Sequence, residues 1–161
     1  MRSKHIPSRE MFLVRTGSSA LADARKKLAR MGRLEDAQQA GGIVIRLDHK
    51  GTADPRHIWQ QIQSEAGEVP VDPVLLDEAG GVHYPTGEVV IRFKEPPSDA
   101  FLAGFAKKFG LTVRQRNAYV PSQIAFHVVQ HGYLPDLVES VEAIEEVQSA
   151  WANTKSHYQR A

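Results

Sequence analysis

The stretch from Tyr84 to Lys94 (YPTGEVVIRFK) is the part of this chain that leaves its folding least choice. Pro85-Thr86-Gly87 gives a turn, and after it Val89, Ile91 and Phe93 alternate with Val90, Arg92 and Lys94 until Pro96-Pro97 ends the run. A period of two puts the first three side chains on one face of a sheet and the other three on the opposite face. Ser98 then caps a helix whose apolar stripe is Phe101, Leu102, Phe105 and Phe109, with Gly110 as its stop. Residues 111–114 and 124–129 read as two more strands. Pro135 opens a second helix with Leu137, Val138, Val141 and Ile144 inside, and residues 147–151 form a short closing strand. The order is βαββαβ, which admits few topologies because its helical crossovers have one hand.

The first half can be read in the same order. Residues 12–15 are a short strand. Ser18 or Ser19 caps a helix with Leu21, Ala24, Leu28 and Met31 on one face and Gly32 at its end. Residues 34–40 hold a weakly patterned strand. Residues 43–47 hold a clear one, with Ile43, Ile45 and Leu47 on one side and Val44 and Arg46 on the other. Asp54-Pro55 places a cap and a first-turn proline ahead of the stripe Ile58, Trp59, Ile62 and Ala66, and Gly67 closes the helix. Residues 69–76, with Pro70 and Pro73, suit an edge strand or a linker. The expected fold is α+β: two tandem ferredoxin-like units, each an antiparallel sheet with its helices on one face. The first unit spans 11–76, residues 77–86 link it to a second at 87–153, and 154–161 form a C-terminal tail.

Composition narrows the function. Twenty basic residues face nineteen acidic ones, so no global nucleic-acid footprint is expected. The chain has no cysteine, which excludes disulfides and thiolate metal sites. The basic start Met1-Arg2-Ser3-Lys4-His5-Ile6-Pro7 is not followed by the apolar core of roughly 7–15 residues that a secretory signal needs. No run is long enough for a membrane span, and a cytoplasmic protein is expected.

The motifs of catalysis are missing from the sequence. There is no G-x-S-x-G elbow, and Gly41-Gly42 precedes a strand, not the helix of a phosphate loop. His127 and His131 have a metal-like spacing without a clear third ligand, and Asp48, His49 and His57 read as ordinary polar residues. No catalytic activity, metal or cofactor is expected. RNA-recognition domains share the βαββαβ order, but the strands at 43–47 and 124–129 lack their base-stacking aromatic motif. The basic group Arg25, Lys26, Lys27, Arg30 and Arg33 reads equally well as a solvated helix face.

Helices on one face leave the other face of each sheet uncovered, and such a face is either polar or meets a partner. Val90, Arg92 and Lys94 occupy it in the second unit, and Val44, Arg46 and Asp48 in the first. The mixture fits a docking surface, and also fits a solvated face carrying one stray valine. The residues after Trp151 have no apolar period and read as a frayed end or as an extended peptide for a groove.

The run Pro85 to Lys94, the helix from Asp99 to Phe109 with Gly110-Leu111 behind it, and the ending Val147-Gln148-Ser149-Ala150-Trp151-Ala152-Asn153 together resemble the N-terminal propeptides of subtilisin-like serine proteases. The first half resembles the extra segment that precedes such a propeptide in some larger subtilases. The resemblance implies a non-catalytic inhibitor, and a possible folding chaperone, whose partner is a subtilisin-like protease. It implies that the bare sheet face, with Val90, Arg92 and Lys94, packs on two surface helices of the protease. It also implies that the tail Tyr158, Gln159, Arg160 and Ala161 enters the active-site cleft as an added strand, with Ala161 in the pocket before the cleaved bond and Tyr158 in the apolar pocket three residues earlier. The chain would act in trans. A second reading is a regulatory module that sequesters another protein partner and is itself cut, at residues 77–84 or 117–122. Binding to RNA is a third and weaker one.

Overall fold

The computed structural model describes residues 5–15, 21–37, 40–47, 54–130 and 132–156. Among them the elements run β1 (Ile6–Arg15), α1 (Leu21–Leu28), β2 (Gly32–Ala37), β3 (Gly42–Leu47), α2 (Pro55–Ala66), β4 (Val71–Leu76), β5 (Val82–Phe93), α3 (Asp99–Phe109), β6 (Leu111–Arg116), β7 (Gln123–Val128), α4 (Leu134–Glu142) and β8 (Val147–Ser156). The protein is mixed α+β with antiparallel strand pairing. The chain divides into two compact units, one of Met1–Thr86 with Thr154–Ala161 and one of Gly87–Asn153. The boundary falls inside β5.

In unit 1 the strands lie in the order β2-β3-β1-β4, and β4 also meets the start of β5. β1 is the hub: Phe12 faces Ile45 and Leu13 faces Val44 on β3, while Leu13 faces Asp72 and Val14 faces Val71 on β4. Phe12, Val14, Ile45, Leu47 and Val71 form a core with Ala24 and Leu28 of α1 and Ile58, Ile62 and Ala66 of α2. The signals around α2 act as their residue types dictate. The Asp54 carboxylate accepts from the Arg56 N–H at 2.9 Å, Pro55 fills the first turn, and Gly67 ends the helix at φ +65°. Trp59 lies at the rim of the stripe, donating Nε1–H to the Val71 carbonyl at 2.7 Å. The proposed caps Ser18 and Ser19 of α1 lie outside the described residues.

Several expectations for this half are corrected. β1 begins at Ile6, well before the four residues that alternate clearly. The Ser8 hydroxyl accepts from the N–H groups of Glu10 and Met11 at 3.2 and 3.0 Å, supporting a bulge where pairing jumps from Pro7–Leu75 to Phe12–Pro73. β4 is not an edge, since it pairs with both β1 and β5; Pro73, which has no N–H to give, sits at that irregularity. Gly32 opens β2, where a Cβ would run into the Arg46 carbonyl oxygen.

The largest correction concerns the face of this sheet away from α1 and α2. Leu13, Val44 and Val74 are 0%, 3% and 0% exposed and form a second small core with Met11, Ala37, Ala40, Val82 and Tyr84 packed around it. Val44 is therefore an interior residue and does not belong to a bare docking face. The cover includes Val82 and Tyr84, because β5 starts at Val82 inside the stretch read as a linker. Arg46 faces Glu35 at 3.6 Å, and Asp48 lies outside the described residues.

In unit 2 the order is β6-β7-β5, with β8 on the other side of β5. Val89 faces Phe126 and Ile91 faces Ile124, and the same face of β5 receives Leu102 and Phe105 of α3 and Leu134 and Val141 of α4. Phe93 and Phe105 meet edge to face, with centroids 5.3 Å apart. Ser98 caps α3 by accepting the Phe101 N–H at 3.2 Å, and Gly110 ends it in the left-handed conformation. β8 runs on to Ser156, five residues past Trp151, so the first part of the expected tail is strand. No helix among the described residues is long and apolar enough to cross a membrane.

Candidate functional site

The pleat of β5 that buries Val89, Ile91 and Phe93 turns Glu88, Val90 and Arg92 to the opposite face of the sheet in unit 2. Register fixes their neighbours. Glu88 lies beside His127 and Thr112, Val90 beside Ala125 and Gln115, and Arg92 beside Gln123. On β8, Ala150 and Ala152 belong to or pack against the core, and the Asn153 amide reaches Glu88 at 3.2 Å; Trp151 between them is therefore on the outward face too. Val90, Ala125 and Trp151, each half-buried, make the apolar middle of this face.

Charged groups flank that middle. Arg92 donates from Nη2 to the Gln123 Oε1 at 2.7 Å, while its Nε is shielded from solvent with no acceptor among the described residues. Glu88 is only 7% exposed, and its carboxylate takes the Arg114 guanidinium at 2.5 Å as well as the Asn153 amide. Val90 and Arg92 thus share one face of β5. Lys94 is exposed, one residue past the end of β5, where its N–H donates to the Glu146 carbonyl at 2.9 Å. Glu88, Arg114, Gln123 and Trp151 escaped the sequence reading, because cross-strand neighbours are set by register. Alternation past Ala150 was the one signal that could have found Trp151.

A second group of polar side chains lies in unit 1. The turn between β4 and β5 is closed by Asp77, whose Oδ1 accepts from the N–H groups of Ala79 at 3.0 Å and Gly81 at 2.7 Å. Its Oδ2 meets His83 Nε2 at 2.8 Å. The bond to His83, and after it the Gly81 N–H, hold the Asp77 carboxyl below its ordinary value of 3.8. The other nitrogen of His83, Nδ1, lies 3.1 Å from the Ser156 hydroxyl at the end of β8. The His5 ring stacks on the His83 ring at 4.2 Å between centroids. From the sequence, Asp77 and His83 stood only in a linker and a possible cutting point; their grouping with His5 and Ser156 joins three separate stretches of chain.

The expected cleft residues Tyr158, Gln159, Arg160 and Ala161 lie outside the described residues, as does His131. His127 is exposed on the outward face of β7. Among the described residues no group of three or more His, Cys, Asp or Glu side chains could hold a metal ion.

No curated protein matches the chain. A family model, the fervidolysin N-terminal prodomain, matches residues 71–153. The match takes in all of unit 2 and reaches back through the Asp77 turn to β4, fourteen residues before the Pro85 at which the resemblance in the sequence begins. It spans more than half of the chain, and the chain belongs to this family of subtilisin-like protease propeptides.

Proposed function

We propose that this protein is a non-catalytic inhibitor of a subtilisin-like serine protease, and that it assists that protease to fold. The outward face of unit 2 is the docking surface, and Tyr158 to Ala161 form the segment that enters the cleft. Each unit is read as a ferredoxin-like fold. What supports that reading is the strand order, β2-β3-β1-β4 in unit 1 and β6-β7-β5-β8 in unit 2, with the first strand of each unit beside its third and fourth.

The observation that carries the functional reading is the make-up of the outward face within the stretch matched by the prodomain family. An apolar middle of Val90, Ala125 and Trp151 is flanked by a guanidinium with an unused Nε and by a carboxylate already committed to Arg114 and Asn153. Aromatic and arginine side chains, here Trp151 in the middle and Arg92 beside it, are the residue types that dominate binding energy at protein interfaces. A strand-like segment in the cleft adds main-chain hydrogen bonds, and linking the two contacts slows release of either.

The test is inhibition of a subtilisin by the whole chain, by Val90→Asp and by deletion of Tyr158 to Ala161. Each change is expected to weaken inhibition by about tenfold or more, the scale of one interfacial hot spot. Inhibition that survives both changes rejects the docking model. One observation favours the reading of a protease-cut regulatory module: Tyr119 is 96% exposed in the β6–β7 loop. Rapid cutting at that loop with no inhibition by the intact chain is the outcome that selects it.

A further inference from the structure

The His83 ring is fixed from three sides. Asp77 can only accept, so the hydrogen of the neutral imidazole resides on Nε2. Nδ1 is then an acceptor, and the Ser156 hydroxyl donates to it. Asp77 is itself held by two backbone N–H groups of its turn, with Gly80 at φ +82° allowing that turn to close. His5 covers the ring's face. Tautomer and orientation are thus set by contacts other than the one to Ser156. This is the arrangement by which a supporting carboxylate prepares a histidine for its partner.

All four residues belong to unit 1, although Ser156 is reached only after the chain has passed through unit 2. Unit 1 therefore holds the end of β8. We infer that His83 is a positioning residue for the C-terminal end of β8: oriented by Asp77 and stacked on His5, it clamps Ser156, the point from which the chain continues to Tyr158. This gives unit 1 a task that its sealed outer face does not supply. A segment held in place beforehand loses less conformational freedom on binding, and so binds more tightly without any new contact. The consequence for inhibition rests on the function proposed above; the clamp does not, and is read in the free protein.

The experiment compares the whole protein with Ser156→Ala, which removes the hydroxyl, and Ser156→Thr, which keeps it. Ser156 is exposed, so neither change threatens the fold. In the free protein, nitrogen shifts of His83 should report hydrogen on Nε2. In Ser156→Ala, amide exchange at residues 154–156 should rise by about tenfold, as expected for one lost hydrogen bond, while Val89 and Ile91 keep their protection. The threonine should restore protection. Inhibition of a subtilisin should weaken by a similar factor in the alanine variant and recover in the threonine one. Hydrogen on Nδ1, or unchanged exchange in Ser156→Ala, overturns the clamp. Raised exchange with full inhibition retained overturns the positioning role. Raised exchange in Ser156→Ala together with no inhibition even by the unaltered protein upholds the clamp and removes the inhibitory function instead.

Discussion

Glu88 carries its charge on a face otherwise centred on Val90, Ala125 and Trp151, with little access to water. A carboxylate in that position gives up much of its hydration, and Arg114 and Asn153 replace it. Glu88→Gln keeps an acceptor for Asn153 but loses the ion pair. Because Arg114 is half exposed, solvent offsets part of the loss, and a cost of about 1 kcal/mol is expected in denaturant unfolding. Trp151→Ala separates docking from folding. The side chain lies opposite the core, so inhibition should fall by about tenfold or more, while the unfolding midpoint moves little. Asp77 gives a pH signature. Its folded pKa is lowered, so its contribution to stability is present above the unfolded value near 3.8 and is lost as pH falls through the folded value. Amide shifts of Ala79 and Gly81 should therefore titrate with a midpoint below 3.8, and Asp77→Asn should abolish that titration.

At the scale of elements, helix ends were the most legible feature, because caps are local chemistry. Asp54, Ser98, Gly67 and Gly110 act as their types and spacing indicate. Gly110 is the sharpest case: at φ +65° a Cβ would also meet Gln130 Cβ at 2.6 Å. Gly110→Ala should destabilise unit 2 by about 1–2 kcal/mol for the left-handed backbone alone, and by more if Gln130 cannot yield, as measured by thermal or denaturant unfolding. Strand ends were poorly legible. β1, β5 and β8 all extend beyond their alternating residues. The added lengths are held by non-local partners: Ser8 at a bulge, Leu75 and Leu76 beside Val82 and His83, and Asn153 and Ser156 bonded to Glu88 and His83. A strand needs a neighbour across the sheet, and that neighbour is distant in sequence.

At the scale of the whole molecule, the two larger cores share no residue among those described: one is built on Phe12, Ile45 and Ile62, the other on Ile91, Ile124 and Phe126. Ile62→Ala and Ile124→Ala should each cost about 2–5 kcal/mol. Their effects should add to within about 0.5 kcal/mol in the double variant, since no packing partner among the described residues is common to both; a larger coupling energy from equilibrium unfolding would contradict separate cores. The order of strands and helices, the caps, and the apolar face of β5 are legible in the residues alone, because period and turn chemistry act over a few residues. So is the propeptide resemblance, which depends on local runs in the right order. The folded chain alone reveals that Val44 is sealed inside unit 1, that Trp151 shares a face with Val90 and Arg92, and that Ser156 meets the His83 that Asp77 holds. Those facts follow from register and from chain returning over long separations, which are settled when the sheets assemble.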